Sequence, residues 1–92
     1  MITREEVYAA IDGERAYQEM RLARDGSTDP QGQHSPEEFL LYMENYLNEA
    51  KHVAARVWGP ECRPRILDIV RKVTALGVSC MEQNGAPRRE GF

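Results

Sequence analysis

The segment spanning residues 34–58 constrains the fold of this chain more than any other part of it. It opens with Ser35, Pro36 and Glu38, which suit a helix N-terminus: a hydroxyl cap, a proline at the first helical position and a glutamate that bonds back to the cap. A Gly-Pro pair after the segment favours its end. The pattern predicts a helix over residues 36–58, which we interpret as the central helix of an all-α protomer.

Apolar residues form two rows along this predicted helix. The first row alternates spacings of four and three and the second follows a heptad, and together they make a face wider than one neighbouring helix covers. The first row is Phe39, Met43, Tyr46, Ala50, Val53 and Val57, and the second row is Leu40, Leu47 and Ala54. A chain of 92 residues builds only a small core, yet 41% of this one is hydrophobic. We therefore expect a small helical bundle that assembles into a compact homo-oligomer.

Two further helices flank this one. Thr3 and Glu6 have the spacing of a capping box, which predicts the start of the first helix. Gly85 follows the third helix and is expected to close it in a left-handed cap. The predicted architecture is one all-α domain of three main helices and a short tail, with boundaries at about residues 3–24, 36–58, 62–84 and 85–92.

Composition and missing motifs narrow the function. The net charge of -3 argues against binding of DNA or RNA polymers, which usually requires a basic surface. No apolar run approaches about 18 residues, so we expect a soluble cytoplasmic protein with no membrane partner. Cys62 and Cys80 lie on one predicted helix and are expected to be reduced thiols rather than a disulfide or a zinc site. We also find no P-loop, no GxGxxG and no Ser-His-Asp pattern, and expect no catalysis, metal or cofactor.

The main alternative is a MazG-type pyrophosphohydrolase, an all-α enzyme that holds Mg²⁺ with carboxylates on two facing helices. Its first motif requires a third carboxylate after Glu37 and Glu38, where this chain has Leu41. Its second motif requires a glutamate three residues before Asp68, where this chain has Arg65. Both halves of the metal motif are therefore degenerate.

The end of the first helix carries an aromatic residue beside basic ones. Tyr17 and Arg21 are four residues apart and share a helix face, and Arg24 follows three residues later. A ring that stacks on a base next to guanidinium groups that bind phosphate suits a nucleotide. Ser27 and Thr28, in the following polar loop, offer hydroxyl and N–H groups to the same phosphate. The alternative is a half-buried tyrosine with solvated arginines and a solvated connecting loop.

A second basic group lies on the third helix. Arg71, Lys72 and Thr74 form a polar island among apolar residues. Arg71 on the solvent face is the simplest interpretation. In a ring-shaped oligomer, however, Arg71 from several copies would converge on the axis and form an anion site that no single chain can build.

Three segments of the chain resemble one family. They are IDGERAYQ (residues 11–18), HSPEEFLLYMENYLNEA (34–50) and IVRKVTALGVSCMEQNGAPRREGF (69–92). The chain resembles the phage anti-CBASS sponge family, small all-helical proteins that sequester the cyclic oligonucleotide signals of bacterial CBASS defence. The resemblance covers most of the chain, and its most distinctive part is the CMEQNGAPRRE run.

The resemblance implies a homohexamer, a trimer of interlocked dimers, in the cytoplasm of the infected bacterial host. It implies that cyclic dinucleotides such as 3′,3′-cGAMP bind uncleaved between protomers, with Tyr17 or alternatively Tyr8 stacked on a base. The residues expected at this site are Tyr17, Tyr8, Arg21, Arg24, Ser27 and Thr28. It further implies that cyclic trinucleotides bind at separate sites near three-fold axes through Arg71 and Thr74.

Overall fold

Three α-helices form the part of the protein that the structure describes. The computed structural model describes residues 1–24 and 33–91, and for residues 22–24 it describes the backbone alone. The helices are α1 (Arg4–Arg24), α2 (Pro36–Arg56) and α3 (Cys62–Asn84), and no strand occurs within these ranges. The predicted all-α class with three main helices is therefore confirmed. Among the described helices, none has an apolar stretch long enough to cross a bilayer.

The helix starts follow the capping pattern in the sequence. In α2 the Glu38 N–H donates to Ser35 Oγ at 3.2 Å, and the Ser35 N–H donates to Glu38 Oε1 at 3.1 Å, so the predicted capping box is complete. In α1 the Glu6 N–H donates to Thr3 Oγ1 at 3.1 Å. The Glu6 carboxylate accepts from the Thr3 hydroxyl at 3.2 Å. The Thr3 hydroxyl thus caps α1 as predicted. The Glu6 carboxylate, however, bonds to the Thr3 hydroxyl, whereas Glu38 in α2 bonds to the backbone N–H of its cap residue.

One helix end and one helix cap differ from the prediction. Helix α2 ends at Arg56 instead of residue 58, because Val57 adopts an extended conformation (φ −94°, ψ 120°) while its N–H still donates to Val53 O. Helix α3 ends at Asn84 as predicted, and the Gly85 N–H donates to Met81 O at 2.8 Å. Gly85 has φ 113° and ψ 152°, a positive-φ extended conformation that favours glycine, so the left-handed helical cap was wrong.

Helix α3, not α2, is the central helix. It contacts both other helices, whereas the backbones of α1 and α2 do not approach one another. Helix α2 runs antiparallel to α3, because the Cys62 thiol donates to Val53 O at one end and the His34 N–H donates to Gln83 Oε1 at the other. Sequence periodicity identified the most amphipathic helix but could not show which helix lies in the middle.

Helix α1 packs on α3 and runs in the same direction. Glu14 of α1 pairs with Arg71 in the middle of α3, and Arg15 pairs with Glu82 near its end. Thus α1 and α2 flank α3, with a gap between them.

The two apolar rows of α2 differ in how far they are buried. In the first row Phe39 and Val53 are buried and the other four members are half-buried against α3. In the second row Leu40 and Leu47 remain 64% and 45% exposed. The buried apolar core consists of Phe39, Val53, Ile69 and Ala75.

The protomer is more open than a monomer of its mass. Its accessible surface is 7562 Å², and a compact 10.5 kDa protein exposes about 5,400 Å², so the excess is about 2,100 Å². Its radius of gyration is 15.0 Å, where a compact chain of this length has about 12 Å. Large apolar side chains on all three helices, among them Tyr8, Leu40 and Leu67, are left exposed by the chain's own fold.

Candidate functional site

A trough lies between α1 and α2, with α3 as its floor. Its volume is about 440 Å³, within the usual range for small-molecule sites. The α2 side carries aromatic rings, and the opposite side carries charged groups from α1 and α3. The trough is the gap between α1 and α2, which do not contact each other, so it forms only when both helices pack on α3.

The aromatic wall is built around His34. Its ring meets Phe39 edge-on at a centroid distance of 5.8 Å and Tyr42 at 5.2 Å. Tyr46 lines the trough one turn after Tyr42. These rings line one side of the trough, where a planar group could contact them.

The end of α3 fixes His34 in place. The His34 N–H donates to Gln83 Oε1 at 2.9 Å, and Asn84 Nδ2 donates to the His34 carbonyl at 3.0 Å. His34 Nδ1 lies 3.2 Å from Glu38 Oε2. The hydrogen bond from the Ser35 backbone, followed by that with His34, lowers the pKa of Glu38 below its ordinary value. The start of α2 is thereby anchored to the end of α3.

The charged wall is dominated by Arg15. Its side chain is only 14% exposed and pairs with Glu82 at 3.0 Å and Glu19 at 3.1 Å. It also donates to Gln18 Oε1 at 3.0 Å. One guanidinium faces two carboxylates here, so the trough has no excess of positive charge for phosphate. The trough therefore suits a neutral or cationic planar group better than a phosphate ester.

The residues predicted for a cyclic dinucleotide lie outside this trough. Tyr17 and Arg21 are exposed neighbours on one side of α1. Tyr8 is exposed on the opposite side of α1, since nine residues correspond to roughly two and a half turns. The structure thus brings Tyr17 and Arg21 together and separates Tyr8 from both. Of the remaining candidates, the Arg24 side chain, Ser27 and Thr28 lie outside the described residues.

Arg71 is paired within the protomer. Its Nε donates to Glu14 Oε1 at 2.8 Å, and its Nη2 donates to Asp68. Glu14 is 8% exposed, and its bond to Arg71 accounts for a glutamate at this buried position of α1. The Glu14 carboxylate, followed by Asp68, raises the pKa of Arg71, and the hydrogen bond from Arg71 lowers the pKa of Asp68. Arg71 is thus 37% exposed but is also held by an ion pair to α1.

Thr74 lies one turn after Arg71 on the same groove. Its hydroxyl donates to the Val70 carbonyl at 2.7 Å. The groove lies between α1 and α3, has a volume of about 400 Å³, and is lined chiefly by Ile2, Val7, Ile11, Leu67 and Val70. Arg71 and Thr74 are thus adjacent, as the sequence predicted, but they lie beside an apolar surface.

Sequence reasoning missed the trough for an identifiable reason. Arg15, His34 and Glu82 lie in three separate segments, and no local spacing links them. Glu14, a charged residue among apolar ones, called for a basic partner, but neither it nor its partner Arg71 lines the trough. Only the placement of α1 beside α3 shows which partner Glu14 has.

Metal-binding groupings are also defined by the packing. Across residues 1–24 and 33–91, no cluster of three or more His, Cys, Asp or Glu side chains is placed to hold a metal ion. The carboxylates of Glu14 and Asp68 both pair with Arg71.

Relatives were sought among known proteins once this geometry was defined. No known protein family matches the chain, and neither a curated protein nor a solved structure does. The resemblance to the anti-CBASS sponge family therefore remains a prediction carried by the three sequence segments alone.

Proposed function

We propose that this protein is a non-catalytic sponge for cyclic oligonucleotides that blocks CBASS signalling in the infected bacterial cell. The observation that carries the proposal is the exposed pair of Tyr17 and Arg21, at the end of α1 that leads into the segment with Ser27 and Thr28. A base stacked on an aromatic ring contributes about 1–3 kcal/mol, and a guanidinium one turn away is in reach of the attached phosphate. We call this surface the Tyr17 edge: Tyr17 would contact the base of a nucleotide and Arg21 its phosphate.

Enclosure of the ligand requires a second copy. The Tyr17 edge is open on one side in the protomer, and a ligand bound there keeps much of its surface in water. Slow release depends on burial between surfaces that cannot separate easily. The excess exposed surface of about 2,100 Å² supports assembly of several copies, which we propose as the homohexamer implied by the resemblance.

The proposal also includes a separate site for cyclic trinucleotides at Arg71 and Thr74. Glu14 and Asp68 orient the Arg71 guanidinium without using all five of its N–H donors. Convergence of Arg71 from three copies would provide matching charges for three phosphates. The two carboxylates reduce the net charge there, so we expect weaker binding than an unpaired arginine cluster would give.

Ligand recovery tests the proposed function directly. The protein is incubated with 3′,3′-cGAMP and then heat-denatured, and the released nucleotide is analysed beside a calorimetric titration and a native mass measurement. We expect tight binding by an oligomer and recovery of intact cyclic dinucleotide. Recovery of linear nucleotide, or Mg²⁺-dependent pyrophosphate release from a nucleoside triphosphate, would instead establish an enzyme. No heat of binding with any cyclic nucleotide would also overturn the proposal.

A further inference from the structure

The second apolar row of α2 is a surface without a partner in the protomer. Leu40 and Leu47 are 64% and 45% exposed, and Ala54 is exposed as well. The row lies about 80° around α2 from the first row, which packs on α3. Tyr42 and the trough lie on the opposite flank of the first row, so the second row can be covered without closing the trough.

We propose that this row packs antiparallel against the same row of a second copy, about a two-fold axis at Leu47. Its heptad spacing is that of two helices packed along a straight seam. The seam spans about 21 Å from residue 40 to residue 54 at the rise of an α-helix. The inference rests on the homo-oligomer within the proposed function and is independent of the nucleotide ligand.

The charged residues beside the second row favour an antiparallel pairing of the two α2 helices. Glu37 and Glu44 lie on one flank of the row in its first half, and Lys51 lies on the same flank in its second half. An antiparallel pair centred on Leu47 places Glu44 of each copy opposite Lys51 of the other. A parallel pair would place Glu44 and Lys51 beside the first, apolar row of the other copy, where neither meets a complementary charge.

Side-chain size selects the same direction. In the antiparallel pair Leu47 meets Leu47 at the axis, and the large Leu40 meets the small Ala54 at each end. The distance between the helices is then uniform along the seam. A parallel pair would place two leucines together at one end and two alanines at the other, so the helices would diverge.

The available area is sufficient for such a contact. A stable interface of standard size buries about 800 Å² of each partner. The protomer has an excess of about 2,100 Å² over a compact chain of its mass, and Leu40 and Leu47 contribute to it. The seam therefore accounts for part of the excess and leaves the α1/α3 groove for other contacts.

Matched glutamate substitutions on one helix test the seam. Leu47→Glu places like charges across the two-fold axis, and Leu40→Glu places a charge against Ala54 inside the seam. Leu41→Glu, by contrast, changes a similarly exposed leucine (65%) outside the row. Sedimentation equilibrium is measured for each variant, with helicity as the folding control. We expect the dissociation constant to rise by about 100-fold or more for the first two and to stay constant for Leu41→Glu. A monomeric wild type, unchanged assembly in the first two, or equal loss in all three would overturn the inference.

Charge exchange tests the direction without disturbing the fold. Lys51→Glu and Glu44→Lys are each expected to weaken assembly by about three- to tenfold, and the double variant is expected to restore it. Single variants that assemble normally would overturn the antiparallel arrangement. In a Cys62→Ser, Cys80→Ser background, Leu40→Cys should form a disulfide only when mixed with Ala54→Cys. Self-linkage of Leu40→Cys would indicate a parallel seam.

The inference and the proposed function fail separately. Assembly through this row without binding of a cyclic nucleotide overturns the sponge alone. Binding of a cyclic nucleotide by an assembly that is insensitive to Leu40→Glu and Leu47→Glu overturns the seam alone.

Discussion

The two contacts that α3 makes are held together by different physical means. Against α2 it buries apolar side chains, and the buried apolar residues in the described part of the chain all belong to α2 or α3. Against α1 it relies on ion pairs, and Glu14, a charged residue, is the buried side chain that α1 contributes within its described part. We therefore expect the α2–α3 hairpin to be the more stable unit, and the attachment of α1 to depend more strongly on salt and pH.

The comparison matters for function because the proposed nucleotide edge lies on the weaker partner. Tyr17 and Arg21 belong to α1, while the trough and the second row of α2 involve the hairpin. A ligand or second copy that contacts α1 would therefore stabilise the part of the molecule that opens most easily.

The largest expected effect is on the hairpin core. Phe39→Ala removes a side chain that is almost fully buried between α2 and α3, and we expect a loss of about 3–4 kcal/mol in the free energy of unfolding. Urea unfolding followed by circular dichroism measures it. Leu41→Ala, at an exposed position of the same helix, is the control and should cost less than about 0.5 kcal/mol. Similar losses in the two variants would show that the hairpin is not the stable unit.

The next effect concerns the attachment of α1. Arg71→Met leaves the Glu14 carboxylate buried without its partner, and we expect a loss of about 2 kcal/mol. Hydrogen exchange should accelerate in α1 and remain slow in α2 and α3. The double variant with Glu14→Gln should recover part of the loss, since no unpaired charge is then buried. Uniform acceleration across all three helices would contradict a separate α1.

The same contrast determines what could be predicted from the sequence. The capping box at Ser35 and Glu38, the end of α3 at Asn84 and the burial of the first row all follow from local patterns. The central position of α3 does not, because it depends on Arg71 and Glu14, which are 57 residues apart in the chain. Periodicity detects an apolar face, but a single long-range ion pair leaves no periodic signal.

A third prediction separates the two tyrosines of α1. If the proposed site is correct, Tyr17→Ala weakens binding of 3′,3′-cGAMP by about 1–3 kcal/mol, the usual contribution of a base stack. Tyr8→Ala is the matched control, because Tyr8 is also an exposed tyrosine of α1 but lies on the opposite side of the helix. Calorimetric titration measures both variants. A loss in Tyr8→Ala alone would move the site to the other side of α1.

A fourth prediction uses acid to weaken the pair of Asp68 and Arg71 within α3. Hydrogen bonding to Arg71 holds the pKa of Asp68 below its ordinary value in the folded state. The carboxylate therefore contributes stability that is fully present above its unfolded pKa and is lost as the pH falls through the lower folded pKa. Asp68→Asn should flatten the stability profile in this acidic window, measured by urea unfolding at successive pH values. A profile identical to that of the wild type would show that Asp68 does not contribute.

The smallest expected effect is at Gly13, in the middle of α1. A Cβ built at this position has no atom within 4 Å, so Gly13→Ala is free of clashes in the protomer. Alanine favours a helix by up to about 1 kcal/mol over glycine, and the gain should appear in the weakly attached helix as slower hydrogen exchange. The matched control is Gly77→Ala in α3, where the Cβ would make an ordinary contact with Met43 Cε at 3.8 Å. If Gly13→Ala stabilises the protomer but disrupts the assembly, then a second copy approaches α1 closely at this glycine. In that case the contact between α1 and α3, the weaker of the two contacts of α3, is reinforced by the second copy.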